Sequence, residues 1–364
     1  MPTKAWDFSS IQDITFDPEK IDLSQGYARL KCLVPDLLFY ARYDKSVNAN
    51  FGLGSIVGRP RSGASVAAKG GRFGGGCLDL TGEIQGRTVS YHAQGNADNR
   101  QKGCVAFWVK PNYGGKPESF KHMFSISADM DVHNHTNYVS MHHGSFRGVI
   151  GAIVRDETGA EPVELDGGVW EPEAGTWYHI EMDWDLDRGE TRLFLDGKQR
   201  GETVRAKAAR SDRITVLNVG KELPDTFAPD FFLQDFHVYA KPQHAADFDP
   251  PAGPTRVHPT DIPIIVTKPF RVYQFYSFLE RRLPDSGDVR YILRVRGKDR
   301  FYDGSDWIES NGTFDQAGSG TQMTSGLVNY LVDGEVALVI LLRSKDGAGS
   351  PRLQSVSVEY MRRE

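Results

Sequence analysis

Apolar and polar residues alternate with period two through Tyr178-His179-Ile180-Glu181-Met182-Asp183-Trp184-Asp185. Tyr178, Ile180, Met182 and Trp184 fall on one side, and His179, Glu181, Asp183 and Asp185 on the other, the pattern of a strand with one buried face. A tight turn over Leu186-Asp187-Arg188-Gly189-Glu190 leads into a second strand, Thr191–Leu195, that ends on Asp196-Gly197. The acidic row is expected on the wet face. It is either an acid/base array or the solvated side of a binding sandwich, and the two readings give different functions.

The same alternation recurs in short runs between turn clusters: Leu37–Arg42, Cys77–Leu80, Thr88–His92, Val105–Lys110, Met123–Ile126, Tyr138–His142, Val149–Arg155, Ile214–Val219 and Phe231–Tyr239. About ten strands and no long helical stripe predict two stacked antiparallel sheets over 37–246, a jelly-roll sandwich. Residues 1–36 read as an N-terminal arm with two short strand candidates. Residues 247–256, rich in proline, read as a linker, because proline denies a ladder its donors. Over 257–364 the runs Val289–Arg296, Arg300–Tyr302, Trp307-Ile308, Glu335–Arg343 and Arg352–Met361 predict a smaller, mostly β domain. Met323, Leu327, Tyr330 and Leu331 add one short helix at helical spacing. The overall class is all-β.

Composition narrows the function. The 38 glycines suit a fold with many tight turns. A net charge of −5 supplies no basic field for nucleic acid. No apolar run reaches the roughly 18 residues that span a bilayer. The start Met1–Asp7 lacks a basic-then-apolar leader, so the chain is expected to stay where it is made. Cys32, Cys77 and Cys104 are few, odd in number and without metal-ligand spacing, as reduced packing residues are. Lys69–Gly76 is glycine-rich, but no Lys-Ser/Thr pair and no helix follow, so it is expected to be a turn rather than a phosphate loop.

Several clusters carry candidate chemistry. Glu181, Asp183 and Asp185 at i, i+2 and i+4 are spaced so that neighbouring carboxylates raise one another's pKa, as a glycosidase acid and nucleophile require. The opposing reading is a solvated strand face. Asp131, His133, His135, His142 and His143 sit close in sequence; His133 with His135 could bind a divalent metal from one strand face or a loop, or the imidazoles are polar surface of a binding loop. Tyr138, His142, Phe146 and Trp170 are candidates for a sugar-binding platform, while Trp177 and Trp184 read as core. A nucleophile elbow of the Gly-x-Ser-x-Gly type is missing.

Five segments in order, Gly71–Gly74 before Leu78–Leu80, Val105–Pro111, Gly175–Ile180, Leu193–Gly197 and Phe232–Tyr239, resemble the laminin-G-like, concanavalin A-like jelly rolls. The resemblance covers about 37–242. It implies a structural calcium, with Asp44 and Asp235 as candidate ligands. The carboxylate strand is similar to that of jelly-roll glucanases, although their pattern ends in Glu where Asp185 stands here. The flanks, Phe16–Lys31 and Phe301–Tyr360, are similar to arms and small β-sandwiches of tailed-bacteriophage virion proteins. These resemblances imply a non-catalytic virion structural protein of fibre, neck or capsid-decorating type, assembled in the host cytoplasm. It would be a homo-oligomer docked on other virion proteins, with its jelly roll turned to host-surface glycans. The rivals are a glycoside hydrolase or depolymerase using Glu181, Asp183 and Asp185, and a cellular lectin-like adhesion protein.

Overall fold

The computed structural model describes residues 2–82, 84, 86–97, 101–127, 137–144, 148–154, 163–205, 214–220, 228–284 and 287–362. The chain divides into two compact units, a central one over Pro35–Thr255 and a terminal one formed by Met1–Val34 with Arg256–Glu364.

The central unit is the predicted sandwich. One sheet runs in the order Val163–Val169, Val149–Val154, Asn137–His143, Lys121–Ser127, Val216–Gly220, Thr88–His92, Arg59–Arg61. The other runs Lys198–Arg205, Glu190–Leu195, Tyr178–Asp185, Lys102–Pro111, Phe231–Tyr239, Leu37–Ala41, Phe51–Gly52, with Cys77–Asp79 also paired to Phe231–Tyr239. The strands pair antiparallel, so each strand's period of two decides which side chains enter the core. Ile180, Met182 and Trp184 point inward and are buried, as the alternation predicts, in one core with Val105, Phe107, Phe124, Ile126, Leu217 and Phe236. Phe107 stacks on Phe236 at 5.6 Å, and Phe124 meets both rings edge-on at 5.9 Å. Gly103 lies opposite Trp184, and its missing side chain makes room for the indole, since a Cβ there would stand 2.3 Å from the ring.

The pairing of Lys102–Pro111 with Phe231–Tyr239 slips between Ala106 and Trp108. Asp235 occupies the slip with φ of 52°, a left-handed conformation that aspartate tolerates better than most residues. The Asp196-Gly197 turn, with both φ values positive, joins its two strands in the two-residue form whose twist matches a hairpin.

In the terminal unit the first residues join the unit's large sheet. Thr3–Trp6 pairs with Leu353–Met361, and Ile14–Phe16 pairs with Ile264–Thr267. Trp6 is buried, 5.6 Å from Phe270. The predicted short helix is Gly320–Leu327. Ser319 and Gln322 form a reciprocal capping box at its start, and Met323 and Leu327 are buried. Asn329 in the left-handed region ends the helical spacing, and Leu331 already opens the strand Leu331–Arg343.

Candidate functional site

The outward face of strand Tyr178–Asp185 is not wet. Glu181 is 2% exposed and Asp183 1%, because the chain's own segment 243–255 crosses this face as a strap. The sequence alternation separates the two faces of the strand correctly, but it carries no information on what covers the second one. The expectation of a solvated acidic row is therefore corrected.

Three rows of side chains cross the sheet beneath the strap. Asp183 stands opposite Cys104, which stands opposite Tyr239; Glu181 opposite Ala106 and then His237; His179 opposite Trp108 and then Gln234. The middle row matters most. Ala106 is small, so between Glu181 and His237 the sheet has a dip. A cleft of about 160 Å³ opens there, lined by Ala106, Trp108, Glu181, His237, His244 and Phe248 among others.

The strap is fastened at both ends and in the middle. Asp183 Oδ1 accepts the backbone N–H of Gln243 at 2.9 Å, and Oδ2 that of His244 at 3.0 Å. The His244 Nδ1 lies 2.6 Å from Glu181 Oε1, and its ring stacks on Phe248 at 3.6 Å. Phe248 donates its backbone N–H to Gly197 O at 2.8 Å and presents its ring to His179 and Phe194. At the far end Thr255 donates its N–H to Asp235 and shares a 2.8 Å hydrogen bond with His237. Prolines 250 and 251 suit a segment that lies across a sheet without joining its ladder.

Burial sets the electrostatics. It pushes His179 down to about 3 and His237 down to about 4, so both imidazoles are neutral near pH 7. Burial first, and the nearby Glu181 charge second, raise Asp183 above the ordinary aspartate range. The hydrogen bond to Glu181 raises His244. Burial likewise pushes Asp235 up to about 6, against the Tyr40 hydroxyl that donates to it at 2.8 Å.

The other predicted site residues are dispersed. Asp185 leaves the carboxylate row for Lys102 at 3.2 Å and Arg188 at 3.7 Å. Trp170 is core, 4% exposed between His143 and Tyr178, because its ring fills the sandwich rather than its surface. His142 is half-buried beside Phe120. The side chain of Tyr138, and Phe146, Asp131, His133 and His135, lie outside the described residues. His143 is fully buried between Tyr113 and Gly148, and burial pushes it down to about 4. Of the calcium candidates, Asp44 faces Arg42 at 3.8 Å, and Asp235 gives its oxygens to Tyr40 and Thr255. Sequence reasoning passed over Ala106, His237, His244 and Phe248. Phe248 lies in the segment 247–256 read as a linker, just before consecutive prolines, and His244 precedes that segment within the range read as jelly roll.

Residues 85–247 match a laminin-G-type family model, described as the concanavalin A-like lectin/glucanases superfamily, so the central unit carries a domain of that superfamily. None of the curated proteins matches the chain in sequence. Among solved structures, the chain is similar to domain 4 of a GH43 extracellular arabinanase from Geobacillus stearothermophilus, solved with arabinotriose. Identity is 12% over 57% of this chain and 94% of that one, with a TM-score of 0.42. It is similar to the receptor binding domain of botulinum neurotoxin type G, at 12% identity over 76% of this chain and 62% of that one, with a TM-score of 0.42. A third likeness is to the CBM40 of the Ruminococcus gnavus IT-sialidase bound to α2,3-sialyllactose, at 16% identity over 52% and 95%, with a TM-score of 0.35.

Proposed function

We propose that the central unit is a non-catalytic glycan-binding jelly roll within a structural protein. The observation that carries this is the cleft over Ala106, where Trp108 and Phe248 stand with Glu181 and His237 around a space of about 160 Å³. Rings beside polar groups are the usual means of gripping a pyranose, whose faces are apolar and whose rim carries hydroxyls.

The same geometry weighs against hydrolysis. A glycosidase sets two carboxyl groups on either side of the scissile bond. Here Asp183 does not line the cleft and spends both oxygens on the strap, while Glu181 is held by His244. Asp235 lines the cleft but is engaged by Tyr40 and Thr255.

The finer reading is a tailed-phage virion component, homo-oligomeric and docked on other virion proteins, with the jelly roll turned to host glycans. It is supported by the pattern of the flanking segments Phe16–Lys31 and Phe301–Tyr360. Mass spectrometry of purified particles tests it: the chain is expected among the virion proteins, and its absence would overturn the assignment. For the glycan site, a glycan array probed with the full chain and with Ala106→Leu is the test. Binding is expected of the first and loss in the second, whose added side chain fills the dip; binding unchanged in Ala106→Leu would place the sugar elsewhere.

A further inference from the structure

We infer that Cys104, Glu181 and Asp183 form a binding site for a single zinc-type divalent ion beneath the strap. The Sγ of Cys104 and one carboxylate oxygen from each acid lie within 4.8 Å of one another, and all three residues are buried. It is the one group of three or more such ligands among the described residues. The site follows from the sheet register, which sets Cys104 directly opposite Asp183 with Glu181 two residues along on the same face.

Charge and donor chemistry point to the same kind of ion. Two carboxylates buried side by side need compensation. Among the described residues the ion pair made to them comes from His244 alone, and it reaches Glu181 but not Asp183. A set of one sulfur and two oxygens suits a borderline ion such as zinc rather than calcium or magnesium, which take oxygen ligands. Asp183 accepts one backbone N–H on each oxygen and also takes the Cys104 thiol proton in a hydrogen bond, so an ion that displaces this proton finds a carboxylate lone pair already directed at the sulfur. His244, bonded to Glu181 at 2.6 Å, would orient that ligand from outside the coordination sphere.

A second observation is independent of the acids. His179, 3% exposed, carries an Nδ1 without a hydrogen-bond partner and lines the same cleft as Glu181. A buried polar atom left in this state is uncommon in folded proteins. Glu181 is the one ligand of the three that lines this cleft, and an ion with three protein ligands keeps a fourth position for water. Binding releases the Cys104 thiol proton to solvent as the sulfur–metal bond forms, with no change of oxidation state.

The test uses the full chain stripped with chelator and titrated with Co²⁺, then Zn²⁺. One cobalt per chain is expected, with a thiolate-to-cobalt charge-transfer band in the near-ultraviolet that zinc abolishes. The band should vanish in Cys104→Ser and persist in the Cys32→Ser/Cys77→Ser double variant, which covers the case in which Cys104→Ser fails to fold. Glu181→Gln should weaken cobalt binding at least tenfold. Absence of the band in the wild-type chain, or its loss in the double variant, would overturn the assignment and leave the cluster as an anchor for the strap.

Discussion

His244 grips the sheet twice: its Nδ1 lies 2.6 Å from Glu181 Oε1, and its backbone N–H donates to Asp183 Oδ2 at 3.0 Å. One residue of the strap thus meets both of the acids that the strand pattern singles out. The relationship turns a carboxylate row into a fastening for residues 243–255, and the cleft over Ala106 exists only between that fastened strap and the sheet.

Asp183→Asn replaces one of the two acceptor oxygens with a donor, so one strap N–H loses its partner inside the protein. A buried donor left unsatisfied costs about 1–3 kcal/mol. Denaturant melts should show a loss of that size, and limited proteolysis should cut within 243–255 faster than in the parent. Unchanged stability and cleavage would mean the strap is held by other contacts.

Gly197→Ala probes the strap from the hairpin side. Gly197 has φ of 72°, and a Cβ there would stand 1.9 Å from the carbonyl oxygen of Phe248. Gly175 has φ of 78° with nothing within 4 Å, so Gly175→Ala carries the backbone cost alone, about 1 kcal/mol. Thermal melts should show Gly197→Ala less stable than Gly175→Ala. Equal losses would contradict the close seating of Phe248.

Trp170→Ala separates core from platform. The ring is buried against His143 and Tyr178, so its loss should cost about 3–5 kcal/mol, as for other large aromatic truncations. A stable variant that had lost only glycan binding would return Trp170 to the surface role its sequence position suggested.

Acid should loosen the central unit. His143 and His237, pushed down to about 4, and His179, pushed down to about 3, refuse protons that the unfolded chain binds near 6.5. Their contribution to stability is full above 6.5 and is lost as pH falls through the folded values. Asp235, pushed up to about 6, and the raised Asp183 act in the opposite sense: their contribution is full below 3.8 and is lost as pH rises through the folded values. Three histidines against two aspartates predict a melting temperature that falls from pH 7 to pH 4.5. His237→Gln, which cannot take up a proton, should flatten that slope; a melting temperature that rises on acidification would contradict the assignment of neutral buried histidines.

Much of this fold is legible in the chain. Thr88–His92 and the Tyr178–Asp185 hairpin stand where alternation puts them, because each has one face in the core and the other outside it. Strand Phe270–Arg282 escaped notice, since its pairing with Leu353–Met361 slips between Phe275 and Ser277 and breaks the period of two. The first residues read as an arm because the partners that give Thr3–Trp6 its place lie some 350 residues away along the chain. The site was half visible for the same reason. Glu181 and Asp183 are marked by their own strand, but Ala106, His237 and His244 join them only through sheet register and the returning strap, which no local pattern encodes.

The central claim, a sugar held in the cleft without being cut, is tested most directly by titrating the full chain with host-surface polysaccharide in a calorimeter and assaying the same samples for new reducing ends. Saturable heat is expected, lost in Ala106→Leu, with no reducing ends released. Reducing ends released by the parent chain and abolished in Glu181→Gln would contradict it and make Glu181 a catalytic acid.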